Sequence, residues 1–485
     1  MARNNGEPGS RALKIEDQVG TMRRQWYGVV VTVGVVVGFL FPASGESQQT
    51  PPAQAEEHLH AFEGRTYTGP VFTLEAALDE ALAKNATLIA LRSQFEVVRQ
   101  RPAQERFLMA PTFEAQIWQW PLAAINPADT SMYMFTVGQD VPGRGKRRLR
   151  TEVVEKDVEI AQTDIAVRAR DVVAQVKRAY AELFVARKDI EIHLESVNLL
   201  RQFAEISHAR YATGRVSQQD VVKAVVELST LHDDLVMMDE RAQLAEAQLN
   251  ALLGRAPEAP IGRLGEPRTE VTLSASADLQ QRAIESQPEL KDARLRRERA
   301  EAAFTVAKSE LKPDFHIGGG YMLMPRDRDA WTASVGITWP GAPWTRGRLD
   351  ARVAEAAAEI DAARAEERVV ENAIRLAVQG AYVRVQTASQ RALLLRSSIV
   401  PQSEQAIEVS RVAYQTDRGD FLALIDNQRS LLNARHGYYL ALSNLEQALA
   451  DLERAVGTGL DLSTAPPVVA GGVTQAKTIS TQEVR

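Results

Sequence analysis

Three aspartates beside glycine turns are the residues best placed to do chemistry. Asp220 follows Gly214-Arg215, Asp420 follows Arg418-Gly419, and Asp426 lies six residues beyond Asp420. Carboxylates fixed at such turns either cap helices or hold cations. A helix dipole favours an acid in the first turn by up to about 1 kcal/mol, which accounts for Asp420 but not for Asp426, too far into its helix. Catalytic constellations are missing. The sequence shows no nucleophile–base pair, phosphate-cradling loop or metal-ligand set at workable spacing, and its seven histidines are scattered. His58-x-His60 falls in a polar, proline-bearing stretch and reads as incidental. With no cysteine, disulfides, thiolate metal sites, cysteine nucleophiles and a lipidated N-terminal cysteine are not expected. Neither a catalytic residue nor a cofactor is expected, and a formal net charge of −6 argues against nucleic acid as a partner.

The elements that must position these acids come in two copies. Pro111-Thr112-Phe113 recurs as Pro313-Asp314-Phe315, Gly138 and Pro142 as Gly336 and Pro340, and Ala179-Tyr180 as Ala381-Tyr382. Tyr211 recurs as Tyr414 and Gly254 as Gly457, all within a few residues of a 202-residue offset. A shared period of this kind predicts tandem repeats of one unit. Each unit, 73–254 and 276–457, reads as a helix, two strands, a very long helix, a tight turn and a returning helix, with 255–275 as the linker between them. The helical hairpins span about 147–253 and 346–456. From Arg147 to Thr213, and again from Arg348 to Asp417, Pro401 is the one strong breaker, so each stretch predicts a rod of roughly 100 Å. Pro401 should kink or locally unwind its helix. Leu431, Tyr438, Leu442, Leu445, Leu449, Leu452 and Val456 follow a coiled-coil seam, as do Val370, Ile374, Ala377 and Ala381 on the preceding helix.

Outside the repeats, Met22-Arg23-Arg24, the apolar run Trp26 to Phe41 and the small residues Ala43-Ser44-Gly45 predict a secretion signal over 1–45. Its removal would leave 52 basic and 60 acidic residues, a net charge of −8. Residues 46–72 read as a linker and 458–485 as a disordered tail.

The strands carry the most discriminating pattern, in hairpins at about 112–141 and 314–340. One phase of each is apolar: Phe113, Ala115 and Ile117; Tyr133, Phe135 and Val137; Phe315, Ile317, Tyr321 and Leu323; Trp331, Ala333, Val335, Ile337 and Trp339. The other phase holds Glu114, Gln116, Thr136, Gly138, His316, Thr332 and Ser334, together with Met132, Met134, Met322 and Met324. Apolar and aromatic out, small or polar in, over about ten residues is the pattern of a transmembrane β-barrel; a soluble hairpin packed on its own core is the alternative. Four strands cannot close a barrel and an open edge cannot sit in lipid, so other copies of the chain must complete it. The apolar phase should face lipid and the polar phase a lumen. There the thioethers either suit Cu(I) or Ag(I) or serve as adaptable apolar filler.

The duplicated strand–strand–long-helix order is joined by Val141-Pro142-Gly143-Arg144-Gly145-Lys146-Arg147 after the second strand. The turns Arg210-Tyr211-Ala212-Thr213-Gly214-Arg215 and Ala413-Tyr414-Gln415-Thr416-Asp417-Arg418-Gly419-Asp420-Phe421-Leu422 complete the set. Together these features resemble the TolC-type outer membrane factor family, the exit ducts of Gram-negative efflux and type I secretion, over roughly 73–457. The resemblance implies a mostly α fold with a small β part, assembled as a homotrimer. Its copies would share a twelve-stranded β-barrel in outer membrane lipid above a long periplasmic α-barrel. It also implies a passive exit duct of a tripartite efflux system, fed by an inner-membrane RND-type pump. A periplasmic adaptor (membrane fusion protein) would dock at the tips around Gly214, Arg215, Arg418 and Gly419. The Pro-Gly-x-Gly-Lys stretch and the Gly-Asp-Phe-Leu turn are most similar to the heavy-metal efflux branch. Twelve residues after Tyr414, Asp426 stands where the resemblance places a pore-constricting acid, and Ala423 stands at the family's earlier acid. The gate would then combine Asp426 with Asp220 and Asp420. A periplasmic coiled-coil adaptor or structural protein and a type I secretion duct remain as alternatives, although adaptors carry one hairpin between β-domains and this chain carries two.

Overall fold

The computed structural model describes residues 70–118, 126, 130–268, 271–416 and 418–459. The secretion signal, nearly all of the N-terminal linker and the C-terminal tail lie outside the described residues. The first half opens with three short helices, α1 (Leu74–Lys84), α2 (Ala86–Arg99) and α3 (Arg101–Arg106), where the sequence suggests one. Asn85 makes the break: it ends α1, and its side-chain oxygen accepts from the Thr87 amide at 3.0 Å to start α2. Strands β1 (Thr112–Trp118) and β2 (Met132–Val141) follow, then α4 (Lys146–Ala212) and the returning α5 (Gln218–Leu253). The second half repeats this order with α6 (Ser276–Ser286), α7 (Pro288–Ser309), β3 (Phe315–Leu323), β4 (Ala330–Ile337), α8 (Pro343–Leu394), α9 (Val400–Gln415) and α10 (Phe421–Val456). Gln287 and Pro288 split α6 from α7, with the ring of Pro288 at a first-turn position that needs no N–H.

The 67 residues of α4 run unbroken, about 100 Å at 1.5 Å per residue. Its counterpart is interrupted where Pro401 predicts. The proline sits in the first turn of α9, and the misfit is absorbed just before it by a π-helical turn, Leu395–Ile399. There the Val400 N–H reaches back to the carbonyl of Leu395, five residues earlier. Both returning helices end on a left-handed glycine, Gly254 at φ +72° and Gly457 at φ +84°. A Cβ on Gly254 would meet the Lys84 carbonyl at 2.7 Å, and one on Gly457 would meet the Gln287 side chain at 2.7 Å. Each repeat thus closes its returning helix against the end of its own first helix, a contact only glycine permits.

The four strands form one antiparallel sheet in the order β1-β2-β3-β4. Beyond it the helices lie side by side. α4 packs against α5 on one flank and α10 on the other, and α10 in turn packs against α8 and α9. Nearer the sheet α7 lies between α4 and α8, and α1–α3 lie along α4. Buried Leu442, Leu445, Leu449, Leu452 and Val456 line α10 as the spacing suggests. On α8 the phase differs: Ile374, Val378, Ala381 and Val385 are buried while Ala377 is exposed. The larger Val378 takes the inward place, one residue from the alanine that the heptad count selects.

Candidate functional site at the sheet and the helical tips

Register sorts the strand residues into two faces, because residues directly opposite in an antiparallel pair share a face. Phe113 pairs with Val137, which pairs with Gly319; Ala115 pairs with Phe135, then Tyr321 and Trp331. Val141 pairs with Phe315 and Phe315 with Ile337. Apart from Gln139, which pairs with Ile317, one face is therefore apolar and open: Phe113 is 80% exposed and Val335 and Trp331 each 81%. Tyr321 and Trp331 stack edge-on at one end, with ring centroids 5.1 Å apart. Trp339 and Trp344 do so at the other, 6.3 Å apart. Trp331 stands near the start of β4 and Trp339 two residues past its end at Ile337, so aromatic pairs flank the apolar stretch at both ends, as the girdles of outer-membrane barrels do.

The opposite face carries the polar set. Glu114 aligns with Thr136, Gly320 and Thr332, and Gln116 aligns with Met134, Met322 and Ala330. Gln116 donates to Glu114 at 2.5 Å. Met134 and Met322 are direct cross-strand neighbours, and Met132 pairs with Trp118. Met324 departs from the expected set: it lies past the end of β3, where its N–H is held by Asp329 at 3.0 Å. His316 pairs with Asp140, whose carboxylate meets its Nδ1 at 2.7 Å. Six residues of β3 separate His316 from Met322, about 20 Å, so imidazole and thioethers share a face without sharing a coordination site. Among the described residues no cluster of His, Cys, Asp or Glu is arranged to hold a metal.

The glycine turns stand at the far ends of the long helices. Gly214 follows α4 at φ +71°, which favours glycine. Gly419 is favoured by space instead, since a Cβ there would lie 3.0 Å from Ala413. Asp220 sits in the first turn of α5, where the Ser217 hydroxyl donates to it at 3.1 Å. Asp420 occupies the N-cap of α10, yet its side chain makes no cap hydrogen bond. Dipole attraction, rather than capping geometry, is what that position offers it. Asp426 is exposed on the second turn of α10, near enough to Arg429 to favour that guanidinium's charge.

The duplicated tyrosines of these turns have diverged. Tyr211 is 44% exposed, whereas Tyr414 is 2% exposed. The Tyr414 hydroxyl meets Ser207 at 2.8 Å, and Arg210 donates to the Tyr414 carbonyl while stacking 4.7 Å from its ring centroid. Burial pushes the Tyr414 hydroxyl above its ordinary pKa, against the Ser207 hydrogen bond, and the charges of Asp220 and Asp420 add to the rise. Both acids therefore act on one buried ring between the two turns. Nearby, Arg429 clamps Glu227 with both its Nε and Nη2, tying α10 to α5. Sequence reading missed this lock, because Ser207 and Arg210 become partners of Tyr414 only when the two halves pack.

The sheet thus presents an open apolar face backed by a polar one, and two long helical hairpins extend beyond it. The sequence profile of the family described as outer membrane efflux protein matches residues 77–255 and again 279–458. The chain belongs to the outer membrane efflux protein family. Among its relatives is the cobalt-zinc-cadmium resistance protein CzcC of Cupriavidus metallidurans, 24% identical over 88% of this chain and 98% of that protein. Two solved outer membrane proteins share the fold. VceC of Vibrio cholerae is 20% identical with a TM-score of 0.66, covering 80% of this chain and 96% of its own. The MtrE channel of Neisseria gonorrhoeae, in its open state, is 20% identical with a TM-score of 0.67, covering 80% and 89%. This efflux protein is thus an exit duct of the outer membrane, with helices extending into the periplasm, and not an enzyme. No described helix is long and apolar enough to cross a membrane.

Proposed function

We propose that the duct is a closed ring of three copies, and that its unfinished edges carry this reading. In the sheet, β1 and β4 each pair on one side only. In the helical layer, α5 and the α8–α9 helix are the outer members, and each presents an apolar stripe to the outside. On α5 the stripe is Val222, Val225, Val226, Val236, Met237 and Leu244; on α8 it is Val369, Leu376 and Val383, seven residues apart. Two different edges that must cover one another define a head-to-tail contact, which ends only when the ring closes. Three copies of four strands make the twelve-stranded barrel of the family resemblance. Inside such a ring Glu114, Gln116, Met134, Met322 and His316 face the lumen, and the methionines act as adaptable apolar surface.

The absence of native cysteine allows a clean test. With Ala115→Cys and Ala333→Cys, on β1 and β4, a flexible bis-maleimide is expected to give covalent dimers and trimers and nothing larger. Monomers alone, or a ladder running past trimer, would rule out the closed ring.

The turns at Gly214 and Gly419 would be the periplasmic tips that meet an adaptor, through Arg215 and Arg418, with an inner-membrane RND-type pump behind it. Repeated in each copy, Asp426, Asp220 and Asp420 become rings of like charge that attract cations. Asp426 has the strongest claim, since Asp220 is engaged by Ser217. Likeness to CzcC favours divalent metal cations as the cargo. Asp426→Ala with Asp220→Ala is expected to lower cation selectivity in single-channel recordings several-fold. Selectivity and conductance identical to the parent would reduce these acids to helix-end solvation.

A further inference from the structure

Where the sheet meets the helices, a groove of about 930 Å³ opens between the end of β2, the start of α4 and the end of α3. Its charged wall is Arg106, Arg144, Arg147 and Arg148, set against Glu152 and Glu155. Arg106 is taken by Glu155 at 2.7 Å, and Arg147 donates to the Arg106 carbonyl at 3.0 Å. Among the described residues Arg144 and Arg148 are exposed and have no acid partner. Its apolar wall is Val141 and Phe315, which pair with each other on the same face as Trp331 and Val335. Beside it the strap after α3 exposes Phe107 by 76% and Met109 by 74%, held there by Gln139 donating to the Met109 carbonyl at 3.0 Å.

The geometry points to a phospholipid site: an anionic headgroup phosphate of the periplasmic leaflet bound by Arg144 and Arg148, with acyl chain against Val141, Phe315, Phe107 and Met109. Net positive charge beneath a lipid-facing apolar surface fits an amphiphile with a negative head, and guanidinium matches phosphate oxygens in pairs. The second repeat has no equal site, because Arg346, the counterpart of Arg144, is held by Asp350 at 3.2 Å. One lipid per chain follows. Such a grip would fix the depth of the barrel in the membrane.

This rests on the outer membrane placement of the sheet, which extraction from the outer membrane fraction tests separately. The full-length protein, purified in mild detergent, is offered phosphatidylglycerol and phosphatidylcholine at equal concentration and read by native mass spectrometry. Retention of phosphatidylglycerol, one per chain, is expected. Each arginine at a charged lipid surface contributes about five-fold to affinity, so Arg144→Gln with Arg148→Gln should cut that retention roughly 25-fold. Phe107→Ser with Met109→Ser should weaken both lipids alike. Circular dichroism checks that the variants keep their helices. Equal retention of the two lipids by the parent, or an undiminished preference in the arginine variant, overturns the proposal. So does displacement of the lipid by millimolar inorganic phosphate alone, which would make the groove a free-phosphate site.

Discussion

Leu376→Asp on α8 together with Val226→Asp on α5 is expected to leave this efflux protein monomeric and without channel activity. Leu376 is 73% exposed and Val226 59% exposed in the isolated chain, each in the middle of its stripe. Covering a leucine or valine by a neighbouring copy contributes about 1.5–3 kcal/mol. A carboxylate in its place must instead be stripped of water, at a cost of several kcal/mol. In the proposed ring the effect multiplies, since every copy carries both substitutions and every contact is damaged at once. The helices themselves should persist, because their own cores lie elsewhere: Leu200, Phe203, Leu235 and Leu424 fill the tip core, and Leu445, Leu449 and Leu452 the core nearer the sheet. Size-exclusion chromatography in detergent should show one-chain particles with helical content close to the parent's. An intact trimer carrying both aspartates would mean that these stripes face something other than the next copy.

Local patterns were legible in the sequence wherever one residue's neighbours along the chain decide its environment. A period of two fixed the apolar phase of all four strands, since a one-residue slip would turn Phe113 and Val335 to the polar side. The long helices were legible from the lack of breakers, and Pro401 marked the place where the second one loosens. The split of the opening helix was not, because it depends on Asn85 capping α2 while its amide donates across to the Leu252 carbonyl at 2.9 Å. Heptad counting selects Ala377 over Val378 because it ignores side-chain size at an interface it cannot see. At the tips the glycines marked the turns, but the burial of Tyr414 and the exposure of Tyr211 could not be read from the two turn motifs themselves. Their difference arises from Ser207 and Arg210, which reach across from the other half.

The second large effect is expected at another contact between the halves. Lys146 opens α4 with its side chain only 3% exposed, and its ammonium lies 2.8 Å from Asp314, the residue before β3. Asp314 also accepts from the Gly143 N–H at 2.6 Å. A Cβ on Gly143 would come within 2.3 Å of the Pro313 carbonyl, so the two backbones touch where the first hairpin leaves the sheet and the second enters it. Asp314→Ala would leave a buried ammonium without a partner. Removing one member of a buried pair costs about 3–5 kcal/mol; water reaches Asp314, so about 2–4 kcal/mol is expected here. Asp314→Ala with Lys146→Met should recover most of the loss, as no buried charge then remains. The pH dependence has a definite sign. Burial pushes the Asp314 carboxyl up, but Lys146 and the Gly143 amide outweigh it and hold the group below its ordinary 3.8. A carboxyl lowered in the folded state contributes stability that is complete above its unfolded value and lost as pH falls through the folded one. Denaturant unfolding in detergent should therefore show the parent losing stability below about pH 4, while the double variant shows less of that acid loss. If the single variant is as stable as the parent at pH 7, the hairpins are clasped by their strand pairing alone and Lys146 finds water without cost.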